Sequence, residues 1–399
     1  MRPLRIIYEA GCGNVMETYK QWASGIDDPI QVSVAYSAQF YEVCKELGAE
    51  AYVISYNHRY GTLKQGAFTI EHRKIPYQKA SALLYYLGRL IYGLRFIGSA
   101  IRHRADVAVV STAVPWFIYR WLRFFGIQIV PTLHCVLWLK YEPQKKIHKT
   151  LLHLGRDLFI KDCIASLAVS EEIRQQVIEL TNHHNRPVLR CFPYYRRSQF
   201  EGVEVMDSAR SPFRILYVGR IETNKGVYDL LEIAKRFANA GIDDVRIDLC
   251  GNGTELEALR KAAIAAGVDS FFVCHGHCNK AQMRDFFRQS HVVTAPTRSD
   301  FVEGFNKVVV EGLLAGRPVV ASTVCNDLPI MEAGVIAIEP NDVDGYYNAF
   351  LKLKNDPEFF AQKRQGSLEL REKFLDSSHS WGANLKSLLI PLMKEKGLI

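Results

Sequence analysis

Between Phe213 and Ile338 the chain repeats one pattern: a short apolar run, a turn, then roughly ten to fifteen residues of helical character. The first run, Phe213–Val218 (FRILYV), ends at Gly219-Arg220. Residues 227–240 follow, with Leu230, Leu231, Ala234 and Phe237 on one helical face. The next run, 245–249, closes at Gly251-Asn252-Gly253 and precedes a strong helix former at 255–266. Runs at 271–274, 292–295, 318–321 and 335–338, with helical stretches at 281–289 and 308–315, continue the series. This leaves few choices. A crossover of that length lays the next strand parallel, and a parallel sheet is covered by helices on both faces. The pattern predicts a Rossmann-like domain.

The first half alternates less cleanly. Residues 4–8, 51–55, 107–110, 127–132 and 164–169 read as strands and 35–47 as a helix. Ser170 is a helix N-cap, followed by Glu171 and Glu172 at the positive end of the dipole. A chain of 399 residues is too long for one core. Residues 191–212 hold Pro193, Arg196, Arg197, Gly202 and Pro212 without a sustained period. The expected division is an N-terminal domain 1–195, a linker 196–211, a C-terminal domain 212–375 and a terminal helix 376–399 built on Trp381 and the apolar residues 385–393.

Composition narrows the classes. The N-terminus lacks the apolar core of a secretory signal, and the longest uncharged stretch, 124–139, falls short of the roughly 18–20 residues of a membrane span. A cytoplasmic chain is expected. Most of the nine cysteines sit in apolar runs, and Cys274-His275-Gly276-His277-Cys278 has no second cluster to complete a tetrahedral set, so no metal is expected. The net charge of +8 favours anionic partners: phosphorylated substrates, an anionic membrane surface or nucleic acid. Nucleic acid is set aside because no zinc finger, RNA-recognition signature or helix-turn-helix pattern is present.

The chemistry concentrates in two places. In Glu303-Gly304-Phe305-Asn306-Lys307-Val308-Val309-Val310-Glu311, Gly304 permits a tight turn, and Asn306 and Lys307 fall near a helix start that favours phosphate. Were both glutamates helical they would differ by about 80° and about 12 Å along the axis. With Glu303 in the loop and Glu311 one to two turns inside the helix, they can grip opposite ends of an extended ligand. Glu303 would accept from sugar hydroxyls and Glu311 from a ribose diol. A retaining glycosidase instead needs its two carboxyl groups about 5–5.5 Å apart. The second place is Gly219-Arg220-Ile221-Glu222-Thr223-Asn224-Lys225-Gly226, after the domain's first strand, where open α/β sheets meet ligands. Arg220 and Lys225 supply two cations suited to a departing diphosphate.

Taken together, VGR…KG, the Gly-Asn-Gly turn, HGHCNKAQM, and Glu303/Glu311 with GRPVVAS resemble the large family of retaining, nucleotide-sugar-dependent glycosyltransferases with the E-x7-E motif, group 1 or family 4. The match covers nearly all of 212–340. The resemblance implies a GT-B fold, two Rossmann-like domains facing each other across a cleft, with the donor held mainly by the C-terminal one. It implies that Arg220 and Lys225 hold the diphosphate, Glu311 the ribose and Glu303 the transferred sugar. Backbone amides of Phe305, Asn306 and Lys307 would approach phosphate or sugar, and loops with Gly219, Gly253, His277 and Cys278 would line the donor pocket. From the N-terminal half it implies a glycine loop, Gly11-Cys12-Gly13, and a catalytic histidine, His134, at a strand end. No cofactor or metal is implied. The donor suggested by family frequency is UDP-glucose, and the acceptor a saccharide or lipid-linked glycan of envelope or exopolysaccharide synthesis. Three departures bear on sugar identity: Asn306 stands where glycine is usual, His291 where aspartate is common, and Asp300-Phe301-Val302 is inserted before Glu303.

Residues outside these motifs form one more pattern. Within 81–104, Leu83, Leu87, Leu90, Leu94 and Ile101 make an apolar stripe read as the core face. Tyr85, Arg89, Tyr92 and Phe96 lie opposite, a stripe suited to a membrane interface at the inner face of the plasma membrane, or to a lipid-linked acceptor. A helix buried on both sides, or a segment broken at Gly88 or Gly93, is the competing reading. The competing functions are a nucleotide-sugar epimerase or phosphorylase of the same fold, an NAD-dependent oxidoreductase, and a catalytically silent sugar-nucleotide binder. The lack of a third glycine after Gly11 and Gly13 weighs against the oxidoreductase.

Overall fold

The computed structural model describes residues 2–29, 31–78, 80–204 and 210–399. The chain divides into two units, one of residues 1–138, 144–193 and 377–399, the other of 139–143 and 194–376.

The first unit is built on β1 (Arg5–Cys12), β2 (Glu50–Tyr56), β3 (Gly61–Gln65), β4 (Phe68–Arg73), β5 (Val107–Val110), β6 (Gln128–Leu133), β7 (Ser166–Ala168) and β8 (Val188–Arg190). Their order is β3-β4-β2-β1-β5-β6-β7-β8. The pairs are parallel except β3 with β4, an antiparallel hairpin at the edge. The sequence did not announce β3, whose residues GTLKQ are polar and largely exposed, as an edge strand tolerates. On β1, Ile6, Ile7 and Tyr8 are buried, and Tyr8 stacks with Phe40 and with Trp381 at 4.7 and 5.7 Å between centroids. Trp381 opens the terminal helix Trp381–Glu395, whose Leu385, Leu389 and Leu392 join the same core. The chain therefore ends in the unit where it begins.

The second unit holds β9 (Phe213–Val218), β10 (Val245–Cys250), β11 (Phe272–Gly276), β12 (Val292–Ala295), β13 (Val319–Ser322) and β14 (Val335–Ile338), all parallel. They follow the order β11-β10-β9-β12-β13-β14, which within the unit is 3-2-1-4-5-6. The order reverses between β9 and β12, and the carboxyl ends of strands at such a point are where α/β sheets take ligands.

Two expectations need correction. The first is the linker at 196–211, of which residues 205–209 lie outside the described residues. Residues 196–204 are fastened to the second unit through their backbone. Arg284 donates to the carbonyls of Ser198, Gln199 and Glu201, and Arg317, fully buried, donates to those of Val203 and Glu204. Arg197 also pairs with Glu372 at 2.7 Å. Carbonyls bound by arginine leave no hydrophobic period, so the segment looked free.

The second concerns the helix Ala82–His103, an unbroken element whose two faces are exchanged relative to the expectation. Tyr92 and Phe96 are fully buried, while Leu83, Leu87, Leu90, Leu94 and Ile101 are exposed. Arg89 donates to the carbonyls of Thr112 and Ala113 and stacks on Tyr85. The proposed membrane contact through Tyr85, Arg89, Tyr92 and Phe96 is therefore overturned. Small residues decided the orientation. A Cβ on Gly88 would stand 1.8 Å from the Pro76 carbonyl oxygen, so only the glycine side lets the helix lie that close. The leucine side offers no such approach.

Candidate active site

In the second unit, three loops meet at the carboxyl ends of β9, β10 and β12. The loop after β9 is held by backbone pairing to the loop after β10, with Ile221 N donating to Asn252 O and Gly253 lying against the Ile221 carbonyl. Its last residue, Gly226, has φ +73°, and a Cβ there would stand 2.0 Å from the Pro296 carbonyl oxygen. Glycine at that position brings the loop carrying Lys225 against the one that follows β12.

That contact assembles the charged cluster. Lys225 Nζ lies 3.1 Å from Glu303 Oε2, with the two side chains 14% and 11% exposed. Asn306 Nδ2 donates to the same carboxylate oxygen at 3.1 Å. Asn326 Nδ2 donates to the Glu303 and Gly304 carbonyls, which fixes the turn. Phe301, from the inserted segment, places its ring centroid 3.4 Å from Lys225 Nζ and 5.5 Å from Arg220 Cζ. Arg220 itself is exposed and paired with Glu222 at 2.9 Å. Gly219 precedes it at the strand end.

Asn306 is the N-cap of the helix Lys307–Leu314, its Oδ1 accepting from the amides of Val308 and Val309. The side chain expected beside a sugar is thus bound to the helix and to Glu303, and those two amides are already taken. Phe305 lies in the turn just before it. One turn into the helix, Glu311 is 9% exposed, and burial pushes its carboxyl up to about 7, against the pull of Lys307. Glu303 and Glu311 stand as expected, one in the loop and one inside the helix.

His277 and Cys278 follow β11 directly. His277 is exposed, while Cys278 Sγ approaches Gly276 O at 3.6 Å, and Gly276 O accepts from Gly251 N. His275 pairs with Asp248 at 2.8 Å and stacks on Phe286, so that histidine is structural. His291 bonds to the Arg214 amide from a buried position, and desolvation holds it down to about 4. Among the described residues no group of three or more His, Cys, Asp or Glu side chains could hold a metal ion.

In the first unit, Gly11, Cys12 and Gly13 lie where β1 passes into the helix Val15–Ala23. Beneath them is a residue the sequence reading missed. Glu9, fully buried, accepts from Gly11 N at 3.0 Å, Ser111 N at 3.3 Å, the Ser111 hydroxyl and Tyr92 OH at 3.3 Å. Burial raises its pKa and these donors draw it back. Its only signal was an acid inside the apolar run IIYEAG. Beyond the loop, Cys12, Gly13, Tyr56, Asn57, His58, Lys74, Ile75 and Gln78 line a cleft of about 390 Å³. His134, just past β6, meets Thr132 Oγ1 at 3.0 Å through Nε2 and stacks on Tyr36 at 4.5 Å. Thr132 in turn accepts from Trp381 Nε1 at 2.8 Å.

The first unit holds a mostly parallel eight-stranded sheet and the second an all-parallel six-stranded one, and solved structures of the GT-B fold match over nearly the full length. The chain is similar to the α,α-trehalose 6-phosphate synthase of Burkholderia multivorans (TM-score 0.70, 15% identity, 99% of this chain and 100% of that one). It is also similar to HepE of Anabaena in complex with UDP-glucose (TM-score 0.64, 13% identity, 97% and 99%). Residues 212–356 match the family described as glycosyl transferases group 1. Among curated proteins, the 2-deoxystreptamine N-acetyl-D-glucosaminyltransferase of Niallia circulans is 26% identical over 164 residues, which are 40% of this chain and 41% of that relative.

Proposed function

We propose that the protein transfers a hexose, with retention of configuration, from a nucleotide diphosphate sugar to a saccharide or lipid-linked acceptor. The observation that carries this is the Lys225–Glu303–Asn306 cluster at the strand-order reversal, with Glu311 one turn away on the same helix. Lys225 and Arg220 attract the diphosphate, which competes with Glu303 for Lys225 and leaves Glu303 to accept from sugar hydroxyls. Glu311 accepts from the ribose. The C1–O bond of the donor breaks with its electron pair going to the β-phosphate oxygen. The acceptor oxygen bonds to C1 from the same face and passes its proton to that phosphate oxygen. The two cations and the loop amides offset the leaving charge without a metal.

UDP-glucose is our choice of donor, which the complex of the fold-related Anabaena protein supports. His134 is proposed to contact the donor sugar. The cleft beside Cys12 and Gly13, with Lys74 and His58 on its wall, is proposed for the acceptor, a glycan of envelope or exopolysaccharide synthesis made in the cytoplasm. The family of 212–356 favours neither the epimerase nor the oxidoreductase reading. Incubation with UDP-glucose and candidate glycan acceptors, followed by proton NMR of the product, tests the reaction. The expected product is an α-glycoside, formed equally well in EDTA; a β-glycoside, or loss of turnover in EDTA, would sink the mechanism.

A further inference from the structure

The helix Ala82–His103 turns to solvent the residues that its sequence offered to a core. Leu83 is 80% exposed, and Leu87, Leu90, Leu94 and Ile101 are each about half that. At 100° per residue these five fall within about 60° of one another, along roughly 27 Å of helix. The helix cannot roll to hide them. Its opposite face carries Tyr92, bonded to Glu9, and Phe96, stacked on Tyr119, and Gly88 lies against Pro76. The 3-10 helix Arg120–Phe125 packs against this element and adds exposed Trp121, Phe124 and Phe125, with Phe124 at 85%. So many large apolar side chains on adjoining elements exceed the scattered apolar surface of an ordinary soluble face.

Charge identifies the occupant. Residues 72–138 and 144–156 of the first unit contain 13 Lys and Arg and a single acid, Asp106, whereas the whole chain has 50 against 42; Arg73, Arg120 and Arg123 are paired with Glu71, Asp157 and Asp162 just outside these stretches. Asp106 is itself bound by Arg2 at 2.7 Å. The helix Ala82–His103 contains no acid, and exposed Arg95 and Arg102 lie along one edge of the leucine stripe. On the nearby helix Lys146–Gly155, Lys146 and Lys149 are exposed beside Ile147. A second copy of the chain docked through this face would set the same positive charge against itself. An anionic bilayer would meet apolar groups with acyl chains and arginines with phosphates.

We propose that the helix Ala82–His103 lies in the plane of an anionic lipid surface, with Leu83, Leu87, Leu90 and Leu94 in the acyl boundary and Arg95 and Arg102 at the headgroups. This attachment stands apart from the sugar chemistry proposed above. It is tested by co-sedimentation of the whole chain with vesicles of phosphatidylglycerol and phosphatidylcholine, or of phosphatidylcholine alone. The wild type should bind the mixed vesicles, less so at high salt, and bind pure phosphatidylcholine weakly. A Leu87→Ser/Leu90→Ser/Leu94→Ser variant should lose about tenfold or more in vesicle affinity. An Arg95→Glu/Arg102→Glu variant should lose its preference for the anionic vesicles. Because all five side chains are exposed, both variants should keep the wild-type melting temperature and donor-induced shift. A Trp121→Ser/Phe124→Ser variant on the neighbouring element gives a second reading of the same surface. Absence of wild-type binding, or equal binding by the leucine variant, overturns the proposal. So does a wild-type dimer that the leucine substitutions convert to monomer.

Discussion

Both units hold a polar loop at the carboxyl end of a parallel sheet, and they anchor it in opposite ways. In the second unit the loops after β9, β10 and β12 are pressed together backbone to backbone, through Gly226 against Pro296 and Ile221 against Asn252. The charged side chains Lys225, Glu303 and Arg220 are thereby gathered at the carboxyl end of the sheet. In the first unit a charge is itself the anchor: Glu9 is buried under the Gly11–Gly13 loop and its oxygens are occupied by Ser111, Gly11 and Tyr92. Glu9, fully buried with both oxygens occupied, cannot also meet a ligand. This is one physical reason why the proposed donor residues gather in the second unit.

Substitutions that interchange these two modes of anchoring should break the comparison. The largest effect is expected from Gly226→Val, because both the positive φ and the 2.0 Å approach to the Pro296 carbonyl exclude a side chain. It should cost about 4 kcal/mol or more, read as a lower urea midpoint and loss of donor binding together. Glu9→Ala comes next, leaving the Ser111, Gly11 and Tyr92 donors unpaired in a buried site. A loss of about 3 kcal/mol in thermal unfolding is expected, with donor affinity changed little.

A smaller effect of opposite sign is expected at Glu311. Its folded-state pKa of about 7 lies above the unfolded carboxylate value, so the folded protein binds the extra proton and loses stability as pH rises from about 4.5 to 7. Glu311→Gln should therefore raise stability at pH 8 by on the order of 2 kcal/mol and leave it nearly unchanged at pH 4.5, while weakening donor binding. Equal stabilisation at both pH values would show that Glu311 is not held against its charge.

How much of this could be read from the residues follows the same division. The strands and helices of 213–338 were legible because each run is short, apolar and bounded by glycine or proline, and the positions of Glu303 and Glu311 followed from helix geometry. What stayed hidden was decided by contacts without a period. Asn306 reads as a side chain near the ligand, yet its carboxamide caps its own helix. Glu9 sits in a strand whose neighbours gave it no partner until the fold brought Ser111 and Tyr92 beside it. In the helix Ala82–His103 both faces are apolar, so periodicity established the helix but not which face turns inward; Gly88 and Tyr92 settled that through Pro76 and Glu9. Residues 196–204 are held by arginines reaching their carbonyls, a bond invisible to any hydrophobic pattern.

The central claim is that Lys225 and Glu311 of the second unit hold the nucleotide sugar. Isothermal titration of UDP-glucose into the whole chain, beside Lys225→Ala and Glu311→Ala, addresses it directly. The account predicts saturable binding by the wild type and at least a roughly tenfold weaker affinity in each variant, with Lys225→Ala, which leaves the largely buried Glu303 without its cation, also melting lower. Unchanged affinity in both variants would contradict it.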